Sequence, residues 1–238
     1  MIVRGVTVRS EGPNTDGLNP DSCRNVLVEG CTFHTGDDCI AINSGMNEDG
    51  WRVNRPCENI VIRDCTMNEG HGAVAIGSGM SGGVRNVHVS NCHVTGGDQG
   101  IRLKSMRGRG GVVENVYVEK IEMSNLRREA IVLNMFYESS TAESRSDAPP
   151  TFRNILIRDI VCTEVGAAIS ICGLPERLIE RVVVENVRLD AVQGIYCQDA
   201  ADVTLRDVRG VVRGDPPFSC SNVYCLNVSN LTLERETC

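Results

Sequence analysis

Asn25-Val26-Leu27-Val28-Glu29-Gly30-Cys31 is the first clear copy of a short pattern that decides the fold. An Asn is followed by a β-branched residue, a variable one, a second apolar one, two mostly polar ones, and then Cys, Ile or Val. The pattern returns at Asn59 (NIVIRDC), Asn86 (NVHVSNC), Asn115 (NVYVEKI) and Asn154 (NILIRDI). Weaker copies start at Arg181 (RVVVENV), Asp202 (DVTLRDV) and Asn222 (NVYCLNV). Apolar residues alternate with period two inside each copy, as in a strand with one buried face. Successive starts stand as much as 39 residues apart (115 to 154) and as little as 20 (202 to 222). Leucine-rich and ankyrin arrays keep a nearly constant period, whereas a parallel β-helix lets its loops vary from coil to coil. The repeat predicts an all-β chain: a right-handed parallel β-helix over residues 1–238, one domain, with no long α-helix.

A second strand follows a turn in each coil. Aligned on the shared cysteine, GDDCIAI (36–42) lies over GHGAVAI (70–76), and GDQGIRL (97–103) takes the same register. Coils in such a stack lie about 4.8 Å apart. Asp37, His71 and Asp98 then share one column, with Arg102 and Lys104 a few residues further along the third coil. Upstream, Asp16-Gly17-Leu18 fits the slot of Asp38-Cys39-Ile40. Internal repetition alone therefore gathers carboxylates, a histidine and two cations in one place. A straight strand would send Asp37 and Asp38 to opposite faces. Both reach one cleft only if Gly36-Asp37 forms a turn or bulge, which Gly36 permits. Segments 43–56 and 135–150 interrupt the repeat and are expected as loops flanking the site-bearing sheet.

With 238 residues the chain can bury a sizeable core. Aromatic residues make up only 4%, and 24 glycines with many Val, Ile and Asn favour strands and tight turns. A formal charge of -7 argues against nonspecific nucleic-acid binding. It does not argue against an acidic ligand, because charges beyond about 8 Å are largely screened and the local cations decide. No apolar run is long enough to span a membrane, and Met1-Ile2-Val3-Arg4 leads into a strand-like stretch rather than a signal peptide. Of the 12 cysteines, Cys31, Cys65 and Cys92 hold one repeat position that Ile121 and Ile160 take later. They read as small buried hydrophobes. Cys220, Cys225 and Cys238 are near enough in sequence to pair with one another. There is no Cys-x-x-Cys pair and no His/Cys cluster with zinc spacing, so no structural metal is expected.

Four blocks carry the chemistry, in chain order: Asn14-Thr15-Asp16, Gly36-Asp37-Asp38, Gly70-His71-Gly72 and Arg102-Leu103-Lys104. Each by itself is weak. Asp and Asn cap turns, a His between glycines is an ordinary turn residue, and cations alternating with apolar residues describe a solvated strand face. In register they make an acid–base site for a negatively charged sugar. Clustered carboxyls cannot all ionise freely, and an arginine can hold a carboxylate with two hydrogen bonds. In this order the blocks resemble the polygalacturonase family, family 28 of the glycoside hydrolases. Its pattern is Asn-Thr-Asp, Gly-Asp-Asp, Gly-His-Gly and Arg-Ile-Lys. Leu103 for Ile is the one departure, a volume-conserving swap. The resemblance covers most of the chain and is strongest from Asn14 to about Asn134. Residues 81–86 (SGGVRN) and 107–111 (RGRGG) are similar to bacterial, often exo-acting members, whereas Gly79 stands where many of those carry glutamate. Family members have several further coils before Asn-Thr-Asp, so the chain reads as the C-terminal portion of such an architecture.

The resemblance implies a pectin-lyase-like solenoid that hydrolyses α-1,4-galacturonosyl linkages of polygalacturonate or pectin. It implies an inverting acid–base mechanism without metal or cofactor. Asp37 is implied as general acid, Asp16 and Asp38 as the carboxylates that hold and activate water, and His71 as the partner that tunes the acid. Inversion implies a wide carboxyl separation with room for water. Asn14, Arg102, Lys104 and Tyr137 are implied as substrate-binding, with Phe136 competing for the place of Tyr137. The expected partner is a galacturonate-containing polysaccharide or oligosaccharide, with no nucleic acid and no membrane. The chain is expected as a monomer, with association open to it through an uncapped N-terminal coil. The family resemblance also implies secretion. Two other classes stay open. One is a calcium-dependent, pectate-lyase-like β-helix with an arginine base, which a calcium requirement would reveal. The other is a carbohydrate-binding β-helix or inactive fragment, which would bind oligogalacturonate without releasing product.

Overall fold

Each repeat opens on a corner. Asn25, Asn59, Asn86, Asn115 and Asn154 all have left-handed backbone, with φ between 56 and 58°. Asn enters this region at lower cost than branched residues do. Their side chains then stack. Asn59 Nδ2 donates to Asn25 Oδ1 at 3.0 Å, Asn86 to Asn59 at 3.0 Å, Asn115 to Asn86 at 3.1 Å and Asn154 to Asn115 at 3.1 Å. The periodic Asn is thus both the hinge between two sheets and the rung of an amide ladder along the solenoid.

The computed structural model describes residues 1–137 and 146–235. The first coil holds β1 (Ile2–Arg4) and β2 (Thr7–Ser10). The second holds β3 (Arg24–Glu29), β4 (Thr32–Thr35) and β5 (Ile40–Ile42). After helix α1 (Asn47–Val53) come β6 (Cys57–Arg63), β7 (Thr66–Glu69) and β8 (Gly72–Ile76). Later corners interrupt the strands less: β9 (Val84–Thr95), β10 (Gln99–Lys104), β11 (Val112–Asn134), β12 (Thr151–Cys172), β13 (Ile179–Val212) and β14 (Phe218–Arg235). Pairing between these strands is parallel, as expected for a β-helix. One ladder runs β1-β3-β6-β9-β11, a second β2-β4-β7-β9, and a third β5-β8-β10-β11. The third carries the site. Its register sets Ala41, Ala75, Arg102, Val132, Ser170, Tyr196 and Ser219 in one column.

Inward positions form apolar columns, such as Val28, Ile62, Val89, Val118, Ile157 and Val184, all buried. The cysteine column behaves as the repeat predicts. Cys31, Cys65 and Cys92 are buried in line with Ile121 and Ile160. Each thiol bonds to the carbonyl two residues back, at 3.2 to 3.4 Å. Cys220 and Cys225 are exposed free thiols, and Cys238 lies outside the described residues.

Segment 43–56 is not simply a loop, because it contains α1. Glu48 and Asp49 in its first turn and Arg52 in its last suit the helix dipole. Asn54 ends it in left-handed geometry, its N–H bonded to Gly50 O at 2.9 Å. Seven residues are too few to display a helical period, which is why the pattern did not reveal it. Trp51 Nε1 ties the helix to Arg109 O at 2.9 Å. Of the second segment, 138–145 lie outside the described residues. Among the described residues no helix is long and apolar enough to cross a membrane.

Candidate active site

The site begins at a glycine. Between β4 and β5 the chain bends at Gly36 and Asp37, and Gly36 N–H donates to Ser10 O at 2.7 Å. A Cβ at Gly36 would stand 2.0 Å from Gly12 O, so the approach of these two turns requires glycine. The bend breaks the alternation of the strand, and Asp37 and Asp38 emerge on the same side. Leu18 bridges Ile40, which carries Asp16 beside Asp38. One oxygen from each of Asp16, Asp37 and Asp38 lies within 4.8 Å of the other two. All three line a cavity of about 310 Å³ together with Asn19, Asn43 and Lys104.

The carboxyls differ in their surroundings. Asp38 is buried, its side chain 3% exposed, and accepts from Lys104 Nζ at 2.8 Å and Arg102 Nη1 at 3.2 Å. Both cations come from two coils away, and Arg102 crosses over Gly72. A Cβ there would lie 2.7 Å from Asp38 Oδ1 and 3.3 Å from Arg102 Cδ. The second glycine of Gly-His-Gly is therefore the gap through which the charges meet. Asp37 Oδ1 accepts the Asp38 backbone N–H at 2.8 Å and faces His71 Nδ1 at 3.1 Å. Asp16 Oδ2 accepts from Asn19 Nδ2 at 2.8 Å. Burial, then repulsion from Asp38 and Asp37, raises the pKa of Asp16 above its ordinary value, with Lys104 opposing.

Tyr137 lies at the site and Phe136 does not. The Tyr137 ring is 5.1 Å from Lys104 Nζ and 5.4 Å from Arg102 Cζ. Phe136 stacks instead on Arg107, whose guanidinium pairs with Glu176 at 2.6 Å. Asn14 is exposed, with φ 54°, and does not line the cavity. Asp98 keeps the predicted column beneath His71 but pairs with Arg127 at 2.6 Å. Sequence reading missed Asn19 and Asn43, which are bonded to each other at 2.9 Å. The alignment of Asp16-Gly17-Leu18 under Asp38-Cys39-Ile40, extended three residues, would have pointed to them.

The wide carboxyl separation expected for inversion is not what the nearest oxygens show. They lie within 4.8 Å, against about 6.5–9.5 Å between carboxyls that leave room for water. The reason is the fold: Asp37 and Asp38 are consecutive residues at one bend, and Asp16 sits on the neighbouring coil, about 4.8 Å away.

Residues 2–232 match the sequence profile of Glycosyl hydrolases family 28. The chain is 31% identical over 228 residues to a probable polygalacturonase of Vitis vinifera, covering 94% of this chain and 45% of that protein. It is 30% identical over 164 residues to a probable endopolygalacturonase B of Aspergillus kawachii, covering 69% and 41%. Two solved structures share the fold. A hyperthermoactive exopolygalacturonase from Thermotoga maritima superposes with TM-score 0.73 at 31% identity, over 95% of this chain and 47% of that one. A family 28 exopolygalacturonase from Yersinia enterocolitica gives TM-score 0.82 at 26% identity, over 92% and 39%. The chain thus spans about half the length of these relatives, 45% in the first case.

Proposed function

The chain belongs to glycosyl hydrolase family 28, and from that premise we propose that it hydrolyses α-1,4-galacturonosyl linkages of polygalacturonate with inversion of configuration. The observation that carries the reading is the meeting of three carboxyls and two cations in one place. Asp37 donates a proton to the glycosidic oxygen as the C–O bond breaks. His71 Nδ1 orients that carboxyl. Asp16 and Asp38 hold the attacking water, and its proton passes to Asp16, whose carboxylate is not tied up by the two cations. Arg102 and Lys104, seated on Tyr137, keep Asp38 in place and face the carboxylate of the sugar. Asn14 contacts the substrate from the exposed turn before Asp16. The compact carboxyl cluster is compatible with inversion if water is held beside Asp16 and Asp38 rather than across the sugar from both.

The chain acts as a monomer, and sedimentation velocity over a hundredfold concentration range tests this, a rising coefficient rejecting it. The hydrolase reading is tested by incubating the chain with polygalacturonate and a chelator. Shortened saturated products support it, and proton NMR of the first product reads the anomer. Binding without product would leave a carbohydrate-binding β-helix, and unsaturated products that need calcium would indicate a lyase.

A further inference from the structure

The column that carries Arg102 continues along the same sheet face through Val132, Ser170, Tyr196 and Ser219. The character of the face changes along it. Beside the carboxyls, Arg102, Lys104, Arg128 and Tyr137 line a hollow of about 220 Å³. Further on, a second hollow of about 350 Å³ is lined by Glu129, Ser170, Gln193, Tyr196, Asp215 and Ser219, among others. Among the described residues no Lys, Arg or His lines it. Its two charged groups are carboxylates: Glu129, which accepts from Gln99 Nε2 at 2.5 Å and pairs with Arg128 at 3.6 Å, and Asp215, paired with Arg235 at 3.3 Å. The Tyr196 ring is 38% exposed there, and its hydroxyl donates to Gln198 Oε1.

We propose that this second hollow is a distal subsite of the same cleft and takes an uncharged sugar residue, such as a methyl-esterified galacturonosyl unit. The proposal rests on the hydrolase reading. A galacturonate placed there would lose hydration, meet Glu129 and Asp215, whose arginine partners are already engaged, and find no cation among the lining residues. An ester removes that repulsion. The Tyr196 ring offers a flat apolar platform to a pyranose face, and Ser170, Gln193 and Ser219 offer hydrogen-bonding groups to its hydroxyls. Five coil steps separate the coil of Asp38 from that of Tyr196, about 24 Å at 4.8 Å per coil. A substrate that fills both places is long and unevenly charged: anionic at Arg102 and Lys104, neutral further along.

The test compares trigalacturonate, unesterified hexagalacturonate, and two hexamers methyl-esterified on the last two residues of either end. Trigalacturonate is too short to reach Tyr196 and reports the catalytic centre alone. One of the end-esterified hexamers should be cleaved with kcat/KM roughly tenfold above the unesterified one, the effect of about 1.4 kcal/mol. Tyr196→Ala should erase that advantage and leave trigalacturonate cleavage unchanged. Ser170→Lys, which places a cation in the hollow, should turn the preference toward the unesterified hexamer. Equal rates for all hexamers in the native chain, or a preference that survives Tyr196→Ala, would overturn the proposal. If neither trigalacturonate nor any hexamer is cleaved, the hydrolase reading fails. Calorimetric titration with the same hexamers then decides the subsite alone: tighter binding of an end-esterified hexamer that Tyr196→Ala removes supports it, and equal binding overturns it.

Discussion

Arg102 Nη1 donates to Asp38 Oδ1 at 3.2 Å although the two residues lie two coils apart, and Gly72 occupies the coil between them. A side chain at that position would crowd both partners. Gly72→Ala puts a Cβ 2.7 Å from Asp38 Oδ1. The surroundings are packed, so the carboxylate must move off its two cations. We expect a loss of about 1–3 kcal/mol in stability and a larger proportional loss in turnover. Urea denaturation and an initial-rate assay on one preparation measure both, and an unperturbed variant would mean that Asp38 and its cations have room to adjust.

Removing Asp38 strands two cations that are mostly buried. Arg102 and Lys104 side chains are 13% and 10% exposed. Asp38→Ala should destabilise the chain by about 3–5 kcal/mol, the usual effect of breaking a buried pair from one side. The double variant Asp38→Ala with Lys104→Met should recover part of it, because one stranded charge is gone. A double variant no more stable than Asp38→Ala alone would show that the cation was already hydrated.

Asp37→Asn keeps the shape and the bond from the Asp38 N–H but cannot donate the proton. Turnover should fall by about 10²–10⁴-fold with oligogalacturonate binding retained. His71→Ala should cost less, since His71 orients Asp37 across 3.1 Å without donating the proton itself. Near-native turnover of Asp37→Asn would take the acid role away from this residue.

Asp16 links the site to pH. Its pKa is raised above the ordinary 3.8, first by burial and then by Asp38 and Asp37. Below 3.8 both folded and unfolded chains hold the proton, and its contribution to stability is fully present. As pH rises from there through the raised value, the unfolded chain ionises first and stability falls. Asp16→Asn carries no such proton. Its stability relative to the native chain should therefore increase over that window and then level off. Thermal unfolding at intervals from pH 3 to pH 7 reads the difference, and a constant gap would mean that Asp16 ionises normally.

Asn86 links two rungs of the amide ladder at φ 57°. Asn86→Ala loses both hydrogen bonds and leaves in left-handed backbone a residue that enters it less readily than asparagine, costing about 1–3 kcal/mol in all. Asn86→Gly should cost less, because glycine accepts the backbone. If the two variants melt together, the ladder contributes and the conformation does not.

The sequence by itself determined the coil. Its period-two apolar pattern from Asn25 onward dictates strands with one inward face, and the recurrence of Cys31, Cys65 and Cys92 gives the register that the structure keeps. Stacking then follows, because a repeat that cannot bury its own apolar face must bury it against its neighbour. The columns of Asp37 over His71 and of Asp16 beside Asp38 were legible for that reason. What only the tertiary structure decided is which side chains touch within those columns. Gly36 bends a strand so that adjacent Asp37 and Asp38 face one cleft. Gly72 opens the space through which Arg102 reaches Asp38, and α1 and Tyr137 come from segments outside the repeat. These outcomes depend on absent side chains and on packing between coils, and a pattern of period two records neither.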